Sequence, residues 1–552
     1  MRPKKGGYYM PKDVETNAFP LFTGSGFNSL LSYLGNVEKG QPKIYDTPFA
    51  KGESTEHLLS SWREILESIQ DKWPTLVEFE DDLAKKVGPL SVQLPLDERL
   101  DDIVSYYDDI LLSSEPIDSV AIKAVLKEFA GLRGLRIRSE QRTVDLMKKS
   151  TNSGSPYFTK RRKVVKQTIP ITSYGADYDG KTKVYPVLAS NHKSATPMAA
   201  VIGWRGQEGG PSKEDVKQRV VWMFPFALNI KELQVYQPLI EAVQKLNLVP
   251  AWVSMESVDR SITKLFDSKS SNDLVVCTDF SRFDQHFNAH LQDAAQTILG
   301  KILAPGQQMW LGEIFPMKYY IPIVIGAHKR PDKVKLFIGP HGMASGSGGT
   351  NADETLVHRA LQYEAAIRSG ARLNPNSQCL GDDGILTYPG ITVDDVVRAY
   401  SSHGLAMNAD KQYASTQDCT YLRRWHHKDY RVDGVCAGVY STCRALGRLR
   451  YLERYQNPQF WDSKAVALRQ LSILENVKYH PLKEQFVEFC MKRDKYRLGI
   501  DIPGFLDNIE RYAKEAIDEM PDFLGYTKTL QNGGNGASGI ANWWIVRYLK
   551  SM

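Results

Sequence analysis

Asp279-Phe280-Ser281-Arg282-Phe283-Asp284, Ser345-Gly346-Ser347-Gly348-Gly349-Thr350 and Gly381-Asp382-Asp383 are three short stretches whose order along the chain decides how the rest is read. The first follows Leu274-Val275-Val276-Cys277-Thr278, an apolar, β-branched run that reads as a strand. Side chains alternate faces in a strand, so Val275, Cys277 and Asp279 share one face and the strand delivers Asp279 at its end. Asp284 lies five positions on and returns toward the same place from a turn or a helix start. Gly381-Asp382-Asp383 sits between Cys379-Leu380 and Ile385-Leu386, the pattern of a tight β-hairpin with carboxylates at its tip. Between the two carboxylate segments, the glycine-rich stretch precedes a helix expected over residues 352–367.

Taken singly, each stretch has an ordinary explanation. Spaced surface carboxylates are common, aspartate tolerates turn geometry, and glycine runs mark loops. By average usage a Gly-Asp-Asp arises in roughly one chain in ten of this length. Jointly they suit one reaction, attack of a 3′-hydroxyl on an α-phosphate assisted by two divalent ions. Asp279 and Asp382 offer hard oxygen ligands from two separate elements, with Asp383 in support. Mg²⁺ is the expected ion, because it takes carboxylates completed by substrate phosphates, with Mn²⁺ as a substitute. No histidine or cysteine cluster lies near them, which disfavours zinc. In the middle stretch the glycines would let backbone approach a template or nucleotide. Ser345 and Thr350 would supply hydroxyls close to the ribose 2′-hydroxyl, the group that separates RNA from DNA building blocks.

A chain of 552 residues allows several subdomains and a large core. No run approaches the roughly 18–20 apolar residues of a membrane span, and the basic start Met1-Arg2-Pro3-Lys4-Lys5 is not followed by an apolar signal segment. Six scattered cysteines without zinc spacing fit a reducing compartment, with Cys277 and Cys379 as small buried hydrophobes. The net charge of +6 is uneven: Lys148, Lys149, Lys160, Arg161, Arg162, Lys163 and Lys166 cluster, whereas residues 78–109 are acidic. That asymmetry suits one polyanion-facing surface. Leu58, Leu59, Trp62, Ile65, Leu66 and Ile69 predict amphipathic helices within residues 55–150, and short Val/Ile/Tyr runs predict strands and loops from 153 to 225. Beyond residue 430 the spacing of Trp461, Ala465, Leu468 and Leu471 again predicts helix. Residues 531–539 read as a glycine-rich linker. Trp543 and Trp544 in the apolar segment beyond it read more often as core than as base-stacking platforms, with docking back as a plug in a product channel as the alternative.

These stretches, in this order, resemble the palm of viral RNA-dependent RNA polymerases, and their wording is most similar to the double-stranded RNA picobirnavirus group. The resemblance runs from Thr151 to about Arg424. Thr151-Asn152-Ser153-Gly154-Ser155-Pro156-Tyr157 is similar to the family's motif at the mouth of the template channel. It implies RNA contact by Thr151, Ser153, Gly154 and the neighbouring Lys160, Arg161 and Arg162. Lys217-Gln218-Arg219-Val220-Val221-Trp222 resembles the basic motif that guides nucleotides in, so Lys217 and Arg219 would clamp the triphosphate. His403-Gly404-Leu405-Ala406-Met407-Asn408-Ala409-Asp410-Lys411 resembles the motif whose lysine protonates departing pyrophosphate, which makes Lys411 the candidate general acid. Tyr421-Leu422-Arg423-Arg424 looks like the primer-gripping hairpin, with Arg423 and Arg424 on RNA. Asp284, Ser345, Thr350 and Asn351 would hold the nucleotide. One position departs from the pattern. Many single-stranded RNA virus enzymes carry asparagine nine positions after the serine matching Ser345, paired with the second aspartate; here that position is Glu354, and Asn351 is out of register.

The resemblance implies an α+β (mixed) right hand with fingers, palm and thumb. An N-terminal extension would cover 1–55, fingers 56–250 with an insertion at 301–335, and a palm of antiparallel sheet flanked by helices 251–300 and 336–430. A helical thumb would cover 431–552, with its tail at 531–552. It also implies a monomer that replicates and transcribes a double-stranded RNA genome without a primer, acting on RNA template and product with nucleoside triphosphates. The viral capsid protein would be its partner, with no membrane, in the virion interior and host cytoplasm. Two rivals stand beside this reading. A reverse transcriptase is disfavoured by Leu380, where those enzymes carry an aromatic residue. A noncatalytic capsid-interior RNA-binding protein would bind RNA without releasing pyrophosphate.

Overall fold

In the computed structural model, which describes residues 14–16, 26–178, 184–191, 196–327, 334–519 and 539–552, the two carboxylate segments meet on one four-stranded antiparallel sheet. Its strand order is Gln378–Leu380, Asp383–Leu386, Val275–Thr278 and Tyr413–Ser415. Val275–Thr278 is buried throughout, as a β-branched run in a central strand should be. Leu380 pairs with Asp383, which leaves Gly381-Asp382 as a two-residue turn, and Gly381 adopts the positive φ of 57° that such a turn requires. Cys277 and Cys379 are buried and unbridged, as expected.

Behind this sheet runs the helix Thr350–Arg368, which begins directly after the glycine-rich stretch and is buried nearly all round. Burial on every face suppresses the amphipathic period that marks surface helices. The helix carries charge inward. Asp353 accepts from the hydroxyls of Tyr236 and Tyr319, both at 2.7 Å, and pairs with the buried Lys318 at 3.1 Å. Tyr236 belongs to the long helix Phe226–Lys245, so this network bolts the two helices together inside the main apolar core. A five-stranded sheet, ordered Val14–Thr16, Val334–Phe337, Ile323–Ala327, Ala200–Gln207 and Lys217–Met223, lies on that core. It presents Lys217 and Arg219 on its last strand, and both side chains are exposed.

A second core is formed by the helices Thr442–Arg450, Ser463–Glu475, Lys483–Met491, Ile509–Glu519 and Trp544–Lys550. Phe49, Leu58, Trp62 and Leu66 from the start of the chain are buried in the same core. The helix Ser463–Glu475 starts after Trp461, because Asp462 caps it by accepting the Ala465 N–H at 2.9 Å. Ile540, Trp543, Ile545, Val546 and Leu549 fill the second core, and Glu475 accepts the N–H groups of Trp544 and Ile545, which is the core reading of these tryptophans. Most of the expected linker at 531–539 lies outside the described residues. No described helix is long and apolar enough to cross a membrane.

Trp62 joins the two ends of the chain. It packs edge-on against Phe486 and donates its indole N–H to Thr442 Oγ1 at 2.7 Å. Trp62→Ala is expected to destabilise this core by about 3–5 kcal/mol, with Trp62→Phe costing less. Thermal and urea unfolding of the full chain check this through an earlier transition.

Candidate active site

Asp279, Asp382 and Asp383 are brought together by strand register. Gly384 pairs with Thr278, so Asp279, one residue beyond the strand, emerges beside the hairpin tip. The tip itself is held from behind by one face of the Thr350–Arg368 helix. Thr355 Oγ1 accepts the Gly381 N–H at 2.9 Å, and the His358 Nδ1–H donates to the Gly381 carbonyl at 2.8 Å. Gln412 fixes Asp279 by its backbone, accepting the Asp279 N–H at 2.7 Å and donating to its carbonyl at 2.9 Å. Asp383 accepts the Leu422 N–H at 2.8 Å. That N–H comes from a hairpin turn in which Leu422 and Arg423 both take positive φ, 53° and 58°, a conformation costly for non-glycine residues.

The cluster is electrostatically crowded. Desolvation in the cleft, and then the charges of Asp284 and Asp279, push the Asp382 carboxyl above the usual carboxylate range. Burial and the adjacent Asp382 raise Asp383 to about 7, against the Leu422 N–H, which favours its ionised form. Among the described residues no three His, Cys, Asp or Glu side chains form a ready-made metal cage. Crowded hard oxygens without nitrogen or sulfur donors nevertheless fit a divalent cation completed by substrate phosphates, and such a cation would relieve the repulsion that raises Asp382.

Asp284 has two partners. Arg219 Nη2 lies 3.1 Å from its Oδ2, and the Glu354 carboxyl hydrogen-bonds to it from the helix. Burial and the Asp284 charge push the Glu354 carboxyl well above the ordinary carboxylate range. Asn351 is engaged elsewhere, accepting the Trp252 indole N–H at 2.8 Å. Glu354, rather than the asparagine of the pattern the sequence departs from, thus stands beside Asp284 on this helix face.

Several expected contact residues turn inward. Ser345 donates to the Val220 carbonyl at 3.2 Å, tying the glycine-rich stretch to the strand that carries Arg219. A Cβ at Gly346 would lie 1.5 Å from the Trp222 carbonyl oxygen, so that glycine admits a protein strand rather than a template. Thr350 spends its hydroxyl on the Ala344 carbonyl at 2.9 Å. Ser153 is buried and accepts the Thr159 N–H at 3.2 Å, while Gly154 abuts the Phe224 carbonyl. Arg161 stacks over Phe226 and donates to the Lys148 carbonyl, and burial lowers its guanidinium to about 10. Arg424 forms a two-pronged bond to Asp259 at 3.1 and 3.3 Å. The side chains of Ser153, Thr350, Arg161 and Arg424 are therefore committed to internal acceptors or donors. Thr151, Lys160, Arg162, Lys217 and Lys411 remain exposed. Lys411 lines a cavity of about 500 Å³ with Asp279, Ser281, Met407 and Asn408. Sequence reasoning missed Gln412, Thr355 and His358. The positions 351, 354, 355 and 358 share one helix face, a spacing that was available as a signal.

The family described as viral RNA-dependent RNA polymerase matches residues 89–437 of this chain. A curated relative, the potential RNA-dependent RNA polymerase of human picobirnavirus (strain Human/Thailand/Hy005102/-), is 61% identical over 528 residues, 95% of this chain and 96% of that one. The crystal structure of the RNA-dependent RNA polymerase of a human picobirnavirus matches with a TM-score of 0.90 at 58% identity, covering 98% of this chain and 100% of that one. An insertion-loop deletion mutant of a human picobirnavirus polymerase matches with 0.86 at 57% identity, covering 95% and 96%. The α+β right-hand architecture expected from the sequence is shared with these structures.

Burial lowers His358, which holds the hairpin tip, from about 6.5 to about 4. Its folded value lies below its unfolded one, so the unfolded chain binds the extra proton. The stability it contributes is fully present above about pH 6.5 and is lost as pH falls toward 4, at about 1.4 kcal/mol per pH unit. His358→Gln is expected to flatten this acid limb, measured by thermal unfolding across pH 4–7.

Proposed function

The chain belongs to the viral RNA-dependent RNA polymerases, as an RNA-directed RNA polymerase of a picobirnavirus, and from that premise we propose that it works by two-metal nucleotidyl transfer, primer-independent, replicating and transcribing a double-stranded RNA genome. The observation that carries the mechanistic part is the register that sets Asp279 beside the Asp382-Asp383 tip, where their charges are unfavourably close. When bound, Mg²⁺ or Mn²⁺ would supply Lewis-acid activation of the attacking hydroxyl and of the leaving oxygen. Asp279 and Asp382 would hold the ions, with Asp383 oriented by Leu422 in support.

The remaining steps fall to other side chains. Arg219, half exposed and already paired with an anion, would turn its free donors to the incoming triphosphate. Asp284, fixed between Arg219 and Glu354, keeps acceptor capacity for the ribose 2′-hydroxyl. Lys411 would donate its Nζ proton to departing pyrophosphate from the cavity it shares with Asp279. Exposed Thr151, Lys160 and Arg162 would meet template phosphates. The reading extends to a monomer working beside the capsid protein in the virion interior and in the host cytoplasm.

Primer-free synthesis on a short RNA with Mg²⁺ and nucleoside triphosphates tests the assignment. Asp279→Ala and Asp382→Ala are each expected to lose about 10³-fold or more, the scale of several kcal/mol of charge stabilisation. Synthesis at the wild-type rate in either variant sinks it. For Asp284→Ala, preference for NTP over dNTP should fall about tenfold to a hundredfold in single-turnover incorporation. An equal loss with both nucleotides would show that Asp284 does not read the ribose.

A further inference from the structure

Glu208 is the first residue after the strand Ala200–Gln207, on the sheet that carries Arg219, yet its carboxylate is held by arginines from elsewhere. Arg444 Nε approaches its two oxygens at 2.9 and 3.1 Å, and Arg448 Nη2 lies at 2.9 Å, both from the helix Thr442–Arg450. Arg423 from the strained hairpin turn completes the ring at 3.6 Å. The Glu208 side chain is only 12% exposed. Although burial opposes it, Arg444 and Arg448 hold the carboxyl below its ordinary range.

Positive charge is in excess here. Among the described residues the further carboxylate on these arginines is Glu453, at 2.8 Å from Arg448. Arg469 stands close enough to Arg448 for their charges to repel, and its Nη1 has no hydrogen-bond partner among the described residues. Burial and the neighbouring Arg444 charge weaken proton binding at Arg423, a second sign of cationic crowding. Guanidinium forks that hold a planar carboxylate hold phosphate equally well. The ring also opens toward the chemistry. Arg423 is 51% exposed and directly follows Leu422, whose N–H is bonded to Asp383. A strand whose 3′-end lies at the aspartates carries a phosphate at each upstream nucleotide, close to this residue.

We propose that Arg423, Arg444 and Arg448 form a phosphate subsite where hairpin, thumb and fingers meet, and that Glu208 occupies it without RNA as an internal stand-in for phosphate, latching fingers to thumb until RNA displaces it. This rests on the polymerase reading above. Two sources share the chemistry, the phosphodiesters of an RNA strand and the 5′-triphosphate of the first nucleotide.

The test compares full-length wild type with Glu208→Gln, a near-isosteric change that removes the competing charge. Binding of a labelled 5′-hydroxyl RNA oligonucleotide is followed by anisotropy across a KCl series, and the KM for the initiating nucleotide is measured in primer-free synthesis. Tighter oligonucleotide binding, by about tenfold at low salt, assigns the subsite to strand phosphates. A lower initiating KM with unchanged oligonucleotide binding assigns it to the triphosphate. Weaker or unchanged values in both overturn the proposal and leave Glu208 a brace. Should Glu208→Gln unfold, Arg444→Gln carries the test: the salt slope of oligonucleotide binding is expected to fall by about one. An unchanged slope with a lowered melting temperature rejects the subsite. The binding arm needs no catalysis, so failure of Asp382→Ala to abolish synthesis would count against the polymerase mechanism alone.

Discussion

Five carboxyl groups, Asp279, Asp284, Glu354, Asp382 and Asp383, are gathered at one end of the four-stranded sheet, and mutual repulsion is the constraint around which their surroundings are built. Like charges at such range raise one another's proton affinity and disfavour the fold unless they are answered. Three kinds of answer are present. Arg219 pairs with Asp284, burial and the Asp284 charge push Glu354 toward its neutral form, and the Leu422 N–H stabilises Asp383. What remains unanswered is the pairing of Asp279 with Asp382, the two positions from which a cation would draw most.

Rigidity at this point comes from the helix Thr350–Arg368. Its buried Asp353 is bolted to Lys318, Tyr236 and Tyr319, so the helix cannot slide, and its opposite residues Thr355 and His358 grip the backbone of the hairpin tip. The carboxylates thus stand on a preorganised support rather than on a mobile loop, which is how a site avoids reorganising during reaction. The second core is tied together and to this frame by contacts distant in sequence: Trp62 with Thr442 within it, and Glu208, beyond the strand Ala200–Gln207, with Arg444 and Arg448.

Much of the architecture was legible beforehand. The strand Val275–Thr278, the helix Thr350–Arg368 and the turn at Gly381-Asp382 fall where alternation, glycine punctuation and hairpin chemistry predicted them. Those signals act over a few residues and survive any tertiary arrangement. The exposed cations were harder to read. Lys160, Arg161 and Arg162 look alike in sequence, yet Arg161 lies over Phe226 while its neighbours remain in solvent. Arg423 and Arg424 divide in the same way, one facing outward and the other closed on Asp259. The C-terminal aromatic segment was legible as apolar, but its binding surface on the thumb was not.

The sequence by itself determined the order of strand, glycine-rich stretch and hairpin, and with it which carboxylates are delivered to one end of the sheet, because backbone alternation and turn geometry are local. Only the tertiary structure decided how each charge is answered. Asp284 meets Arg219 across 65 residues, Asp279 is held by Gln412 across 133, and Arg424 finds Asp259 across 165. No periodicity records such pairings, since they follow from the packing of separate elements that bury the same group from different sides.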